Sequence, residues 1–115
     1  MEDNRLKHSM LLDFYGELLT EKQRECYDLH YNDDYSLAEI AEQCGISRQG
    51  VWDNIRRAEA FMTDVEEKTG LIARFEQMQN TLRHCRKELL SRSAGGEASS
   101  ANPLLAEIDA VLIGD

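Results

Sequence analysis

Two clusters of cationic and amide side chains are the residues of this 115-residue chain best suited to chemistry. Arg48, Gln49, Asn54, Arg56 and Arg57 form the first. A guanidinium pairs with phosphate oxygens or with the acceptor edge of guanine, and a primary amide pairs with the edge of adenine. Arg83, Arg86 and Lys87 form the second cluster and fall within about one helical turn. Both sets therefore have the chemistry to bind nucleic acid. Each also has a structural use. Arg56 and Arg57 can pair with Asp53 or Glu59 along a helix. The second cluster can answer acids on a neighbouring helix, such as Asp64, Glu66 and Glu67. The sequence leaves both uses open.

Other chemistry is poorly provided for. Nothing resembles a nucleophile triad, a paired-carboxylate site or a phosphate-cradling glycine loop, so an enzyme is not expected. Cys26, Cys44 and Cys85 are odd in number and far apart, and His8, His30 and His84 complete no metal-ligand spacing. The expectation is reduced, partly buried thiols in a cytoplasmic protein, with no metal and no cofactor. Asn32-Asp33-Asp34 reads as a solvated loop because the ligand series of a calcium loop is missing. No apolar run approaches the roughly 20 residues that cross a bilayer, and no secretory leader is seen.

The elements that must carry these clusters read as helices. Ser36 caps a helix with Glu39 as its capping-box partner, and Leu37, Ile40, Ala41 and Cys44 share one face. Gly45 supplies the positive φ of a sharp corner. Ser47 then caps a second helix with Val51, Ile55 and Ala58 inward. This is the pattern of a helix-turn-helix that turns its second, recognition helix outward. Arg48 and Gln49 fall in that helix's first turn, where groove contacts begin. Trp52 belongs at the flank of the inner face, packed partly on the domain.

Around this motif the chain reads as all-α. A first helix runs from about Arg5 to Leu19 on a stripe of Met10, Leu11, Phe14, Leu18 and Leu19. Thr20 and Gln23 open a second. The recognition helix continues from Arg48 to about Thr69 and stops at Gly70. Its inner positions run on through Met62 and Val65 at alternating steps of four and three. Leu71, Phe75, Met78, Leu82, Cys85 and Leu89 repeat those steps in the next helix. The simplest use of the two seams is to pack on each other. A homodimer formed through the seams is the alternative. Residues 1–91 are thus expected to form a helix-turn-helix domain of about four helices extended by a long helix pair. A Ser/Gly/Ala linker spans 92–102, and a short amphipathic segment at 103–115 starts at Asn102-Pro103.

Charge complicates the functional reading. The formal net charge is −9, whereas a phosphate binder usually shows a basic surface. The charge is uneven, however: residues 71–92 carry five basic side chains against two acids. What counts at a contact face is the local field.

Three runs carry a family resemblance: Leu18–Leu29, Asp34–Glu42 and Ile46–Glu59. Together they are similar to the YlxM family of small bacterial helix-turn-helix proteins, over about Leu11 to Leu90. The motif also resembles the promoter-reading C-terminal region of sigma factors. Family genes commonly neighbour the gene for the signal recognition particle's GTPase. The resemblance therefore implies a regulatory role in protein targeting, with that GTPase or the particle's RNA as partner. Two residues depart from the pattern: Gly50 stands where alanine is expected, and Trp52 where a small residue or tyrosine is. A sequence-specific DNA-binding regulator and a protein–protein adaptor without nucleic acid remain the competing expectations.

Overall fold

Hydroxyl caps and two left-handed glycines set the corners of the chain. The computed structural model describes residues 2–92 and 103–113. In order it forms α1 (Glu2–Tyr15), a 3-10 turn (Gly16–Leu18), α2 (Glu21–Tyr31), α3 (Leu37–Cys44), α4 (Arg48–Thr69), α5 (Leu71–Arg92) and α6 (Pro103–Val111). No strand occurs among the described residues. Thr20 Oγ1 accepts the Gln23 N–H at 3.1 Å, and Gln23 Oε1 accepts the Thr20 N–H at 3.2 Å. Ser36 and Glu39 form the same reciprocal box at 3.1 and 2.8 Å. Both boxes satisfy donors that a helix start otherwise leaves unpaired. Gly45 and Gly70 end α3 and α4 at φ 69° and 65°, a conformation that a Cβ penalises.

The chain divides into two compact units, residues 1–72 and 73–115. In the first, α4 is the central helix. Its Val51, Ile55, Ala58 and Met62 are fully buried, with Leu11 and Tyr15 from α1, Cys26 and Tyr27 from α2, and Ile40 from α3. The seam of α4, expected to close on the seam of the following helix, meets α1, α2 and α3 within this unit and, from α5, Ile72. An inner face that is apolar from end to end takes whichever partners surround it, and three shorter helices supply them here.

The first helix also differs from its reading. It stops at Tyr15 and tightens into the 3-10 turn rather than running to Leu19. Gly16 is buried in that turn, where a Cβ would lie 3.0 Å from Leu12 Cδ1. The buried stripe is His8, Leu11 and Tyr15, while Phe14 and Leu18 are exposed. Polar aromatic groups can hold these positions because each finds hydrogen bonds inside. Tyr27 Oη donates to the His8 carbonyl at 3.2 Å and lies 2.9 Å from His8 Nδ1. The His8 ring stacks on Tyr31 at 3.8 Å between centroids, and Tyr31 Oη donates to Glu59 Oε1 at 3.3 Å. Burial and the Glu59 carboxylate push the Tyr31 phenol up to about 12. Tyr15 Oη donates to Glu66 Oε1 at 2.6 Å, and that same oxygen accepts the Ile72 N–H at 3.0 Å. One carboxylate thereby joins the tip of α1 to the corner at Gly70.

The second unit is described over α5 and α6. Pro103 takes the first position of α6, as its fixed φ favours. Leu105 is its buried anchor, and Ile108 and Leu112 are half-buried. Polar groups fix the far end. Gln79 Nε2 donates to the Val111 carbonyl at 3.0 Å, and Gln79 Oε1 accepts the Ile113 N–H at 2.8 Å. Residues 93–102 of the expected linker, and the last two residues of the expected C-terminal segment, lie outside the described residues.

Candidate nucleic-acid interface

The geometry begins at the corner between α3 and α4. The Gly45 and Ile46 N–H groups both donate to the Ala41 carbonyl, at 2.9 and 3.2 Å. This closes α3 in a tight, left-handed stop. Ser47 restarts the chain as a cap, its Oγ accepting the Gly50 N–H at 3.0 Å. A methyl group at position 50 would sit 3.2 Å from that Oγ and 3.7 Å from Ile46 Cδ1. Glycine therefore gives the cap room where the family pattern leads one to expect alanine.

Beyond the corner, α4 shows two faces. Val51, Ile55 and Ala58 point into the core, while Arg48, Gln49, Trp52, Asp53, Arg56 and Arg57 are exposed. The helix is thus turned outward along its first three turns, as a recognition helix must be. Arg48, Trp52 and Arg56 lie four residues apart and form one stripe. The N-terminal ends of α3 and α4 converge on an open concavity lined by Ser36, Leu37, Ser47, Arg48, Gln49 and Trp52. Both ends carry the partial positive charge of a helix N-terminus. The capping box also holds the Glu39 carboxyl below the usual carboxylate range, because the Ser36 backbone N–H donates to it.

The expected contact residues differ in availability. Among the described residues, Arg48, Arg56 and Arg57 form no ion pair, so the helix pairing with Asp53 or Glu59 is not made. Gln49 is partly engaged, its Nε2 donating to Asp53 Oδ1 at 3.2 Å. Asn54 is half-buried and turned back on its own helix, with Nδ2 donating to the Gly50 carbonyl at 2.9 Å. Farther along α4 the exposed groove passes Glu59, Asp64 and Glu67 and becomes acidic. A polyanion is therefore attracted to the first half of the helix and repelled by the second.

The second basic cluster lies on α5, in the other unit. Arg83 Nη2 donates to the Ile113 carbonyl at 2.8 Å, and Arg86 Nη1 pairs with Asp109 Oδ1 at 3.2 Å. Lys87 is exposed. An acid that answers this face, Asp109, is on α6. Sequence reasoning missed α6 as the partner because an acid in a segment of its own gives no periodicity link to α5. Trp52, expected to pack partly on the domain, is 38% exposed and lines the concavity.

Cysteine chemistry plays no visible part in the interface. Cys44 Sγ donates to Glu25 Oε1 at 3.3 Å, and burial with that carboxylate raises its thiol to about 11. Among the described residues no group of three or more His, Cys, Asp or Glu side chains is placed to hold a metal ion. None of the described helices is long and apolar enough to cross a membrane.

A capped helix, a left-handed glycine corner and a second helix with a free cationic face define a protein of the helix-turn-helix class. The family whose description reads "Putative helix-turn-helix protein, YlxM / p13 like" matches residues 2–99. The chain belongs to this family. It is 46% identical to a UPF0122 protein of Halalkalibacterium halodurans, over 95% of this chain and 97% of the relative. It is 49% identical to one of Acetivibrio thermocellus over 77% and 76% of the two chains, and 45% identical to one of Geobacillus kaustophilus over 95% and 97%.

Proposed function

We propose that the chain is a non-catalytic regulatory protein that binds nucleic acid through the first three turns of α4. On this reading it is a cytoplasmic accessory of the signal recognition particle pathway. The observation that carries the reading is the outward face of α4, where three arginines that form no ion pair among the described residues flank an exposed tryptophan. Arg48 and Arg56 supply phosphate contacts, and Trp52 supplies a flat surface for stacking. The acids farther along α4 and the net charge of −9 keep affinity low without a partner. An accessory role suits this balance better than autonomous binding does. The targeting pathway enters from the family's resemblance and gene neighbourhood. The partners on this reading are the particle's GTPase and its RNA.

Pull-down with the purified GTPase and its RNA at low salt tests it. Retention that falls as salt rises, and falls again for Arg48→Ala with Arg56→Ala, is the expected result. No retention by either partner sinks the pathway assignment. A sequence-specific DNA regulator is the second reading, favoured by Gln49 and Arg48 in the first turn of the recognition helix. Selection from a random duplex pool decides it, because a regulator enriches a motif and an accessory does not.

A further inference from the structure

The later part of α5's apolar seam, from Met78 to Leu89, stays at least half-open among the described residues. We infer that α5 is the interface of an antiparallel homodimer, with its two-fold axis at the level of Asn80 and Thr81. This goes beyond the nucleic-acid reading and does not depend on it.

The described part of the second unit leaves several of its apolar residues open to solvent. Leu105 is the buried hydrophobic among its described residues, whereas Met78 is 58% exposed. Leu82 and Leu89 are half-buried, and Cys85 is exposed. Met78, Leu82, Cys85 and Leu89 keep the four-and-three steps of a seam made to meet another helix. The short helix α6 closes one flank of that seam, because Gln79 and Arg86 bind it. The other flank, made of Arg74, Thr81 and Glu88, is exposed.

The charges on the open flank select a second copy as the occupant. Arg74 and Glu88 stand two heptads apart, with Thr81 midway between them. Among the described residues neither forms an ion pair or a hydrogen bond. When α5 meets its own copy antiparallel, the Arg74 of each chain faces the Glu88 of the other. Met78 then packs on Leu82 of the second copy, and the two Thr81 side chains flank the axis. A parallel pair gains neither contact, since it sets Arg74 against Gln79, which is engaged by α6. An arrangement that is self-complementary under a two-fold is what a closed, isologous dimer requires.

Sedimentation of the full chain over a concentration series tests the inference. The wild-type protein is expected to associate reversibly to a dimer. Arg74→Glu alone, or Glu88→Arg alone, places two like-charge pairs across the axis and weakens the dimer about tenfold. An equimolar mixture of the two single variants is expected to recover wild-type affinity as a heterodimer, and the double variant to recover it as a homodimer. Met78→Glu is expected to leave the far-ultraviolet helix signal unchanged and to abolish association. A wild-type chain that is monomeric at about 0.1 mM overturns the proposal. So does a dimer indifferent to either charge reversal, or single variants that weaken it without recovery on mixing.

Discussion

The two units hold their helices by opposite means. Residues 1–72 close around α4 with ten buried side chains from four helices and from the start of α5, and their few inward polar groups are paired with one another. The described part of residues 73–115 has a single buried leucine and is held by side chains that bind the exposed end of a helix, Gln79 and Arg83 on the backbone of Val111 and Ile113. Apolar burial is worth roughly 25 cal/mol per Å² and is cooperative across a core, whereas a surface hydrogen bond nets only about 1 kcal/mol. The first unit should therefore unfold as a block. The second should open piecemeal, at low cost.

The most damaging change to the contrast is Ile55→Ala. Ile55 is fully buried at the centre of α4. Its loss is expected to cost about 2–5 kcal/mol and to move the urea midpoint of the whole helix-turn-helix unit. A cost under about 1 kcal/mol would mean that the core repacks freely and is not a fixed scaffold for the outward arginines. Next in size is Gly45→Ala. No atom lies within 4 Å of the added methyl, so the expected loss of about 1–2 kcal/mol is backbone strain alone at φ 69°. Gly45→Asn should recover much of it, since asparagine tolerates that region. Equal losses for the two variants would point to a packing cause instead.

This corner is also where the sequence spoke most clearly. Ser36, Glu39, Gly45, Ser47 and Gly70 each act locally, through a cap or a positive φ, and local chemistry is written in adjacent residues. The bounds of α4 were legible for the same reason. The inner stripe of α1 was not. His8 and Tyr15 count as polar in any periodic pattern, and only Tyr27 and Glu66, distant in sequence, make their burial affordable. The partner of α4's seam was illegible too, because an apolar face states that it will be covered and not by what. In the candidate site, the exposure of Arg48, Arg56 and Arg57 followed from helix phase. The withdrawal of Asn54 onto the Gly50 carbonyl did not, since the phase alone places it at the edge of the surface.

Smaller again, and confined to the first unit, is a pH effect at His8. Burial lowers the pKa of this imidazole below 6.5, and Lys7 and His30 act in the same direction against Glu59. The unfolded chain therefore takes up a proton before the folded one does. His8's contribution is intact above pH 6.5 and is lost as pH falls below that value. Urea midpoints measured on either side of pH 6.5 should decline toward acid for the wild-type chain, and less steeply for His8→Asn. A steeper decline in the variant would reverse the assigned sign.

The least costly change probes the second unit. Gln79→Ala removes one donor and one acceptor from the end of α6 and touches nothing in the core around α4. The Ile113 amide, bonded to Gln79 Oε1, should exchange with solvent about fivefold faster, because losing one such bond costs about 1 kcal/mol of local opening energy. The urea midpoint of residues 1–72 should stay within error of the wild type. Arg83→Ala, which removes the bond to the Ile113 carbonyl, should add to the effect on exchange and again spare the midpoint. A midpoint that moved with either variant would mean that the polar clasp on α6 supports the apolar core. The contrast between a unit held by burial and a unit held by hydrogen bonds would then collapse into a single cooperative fold.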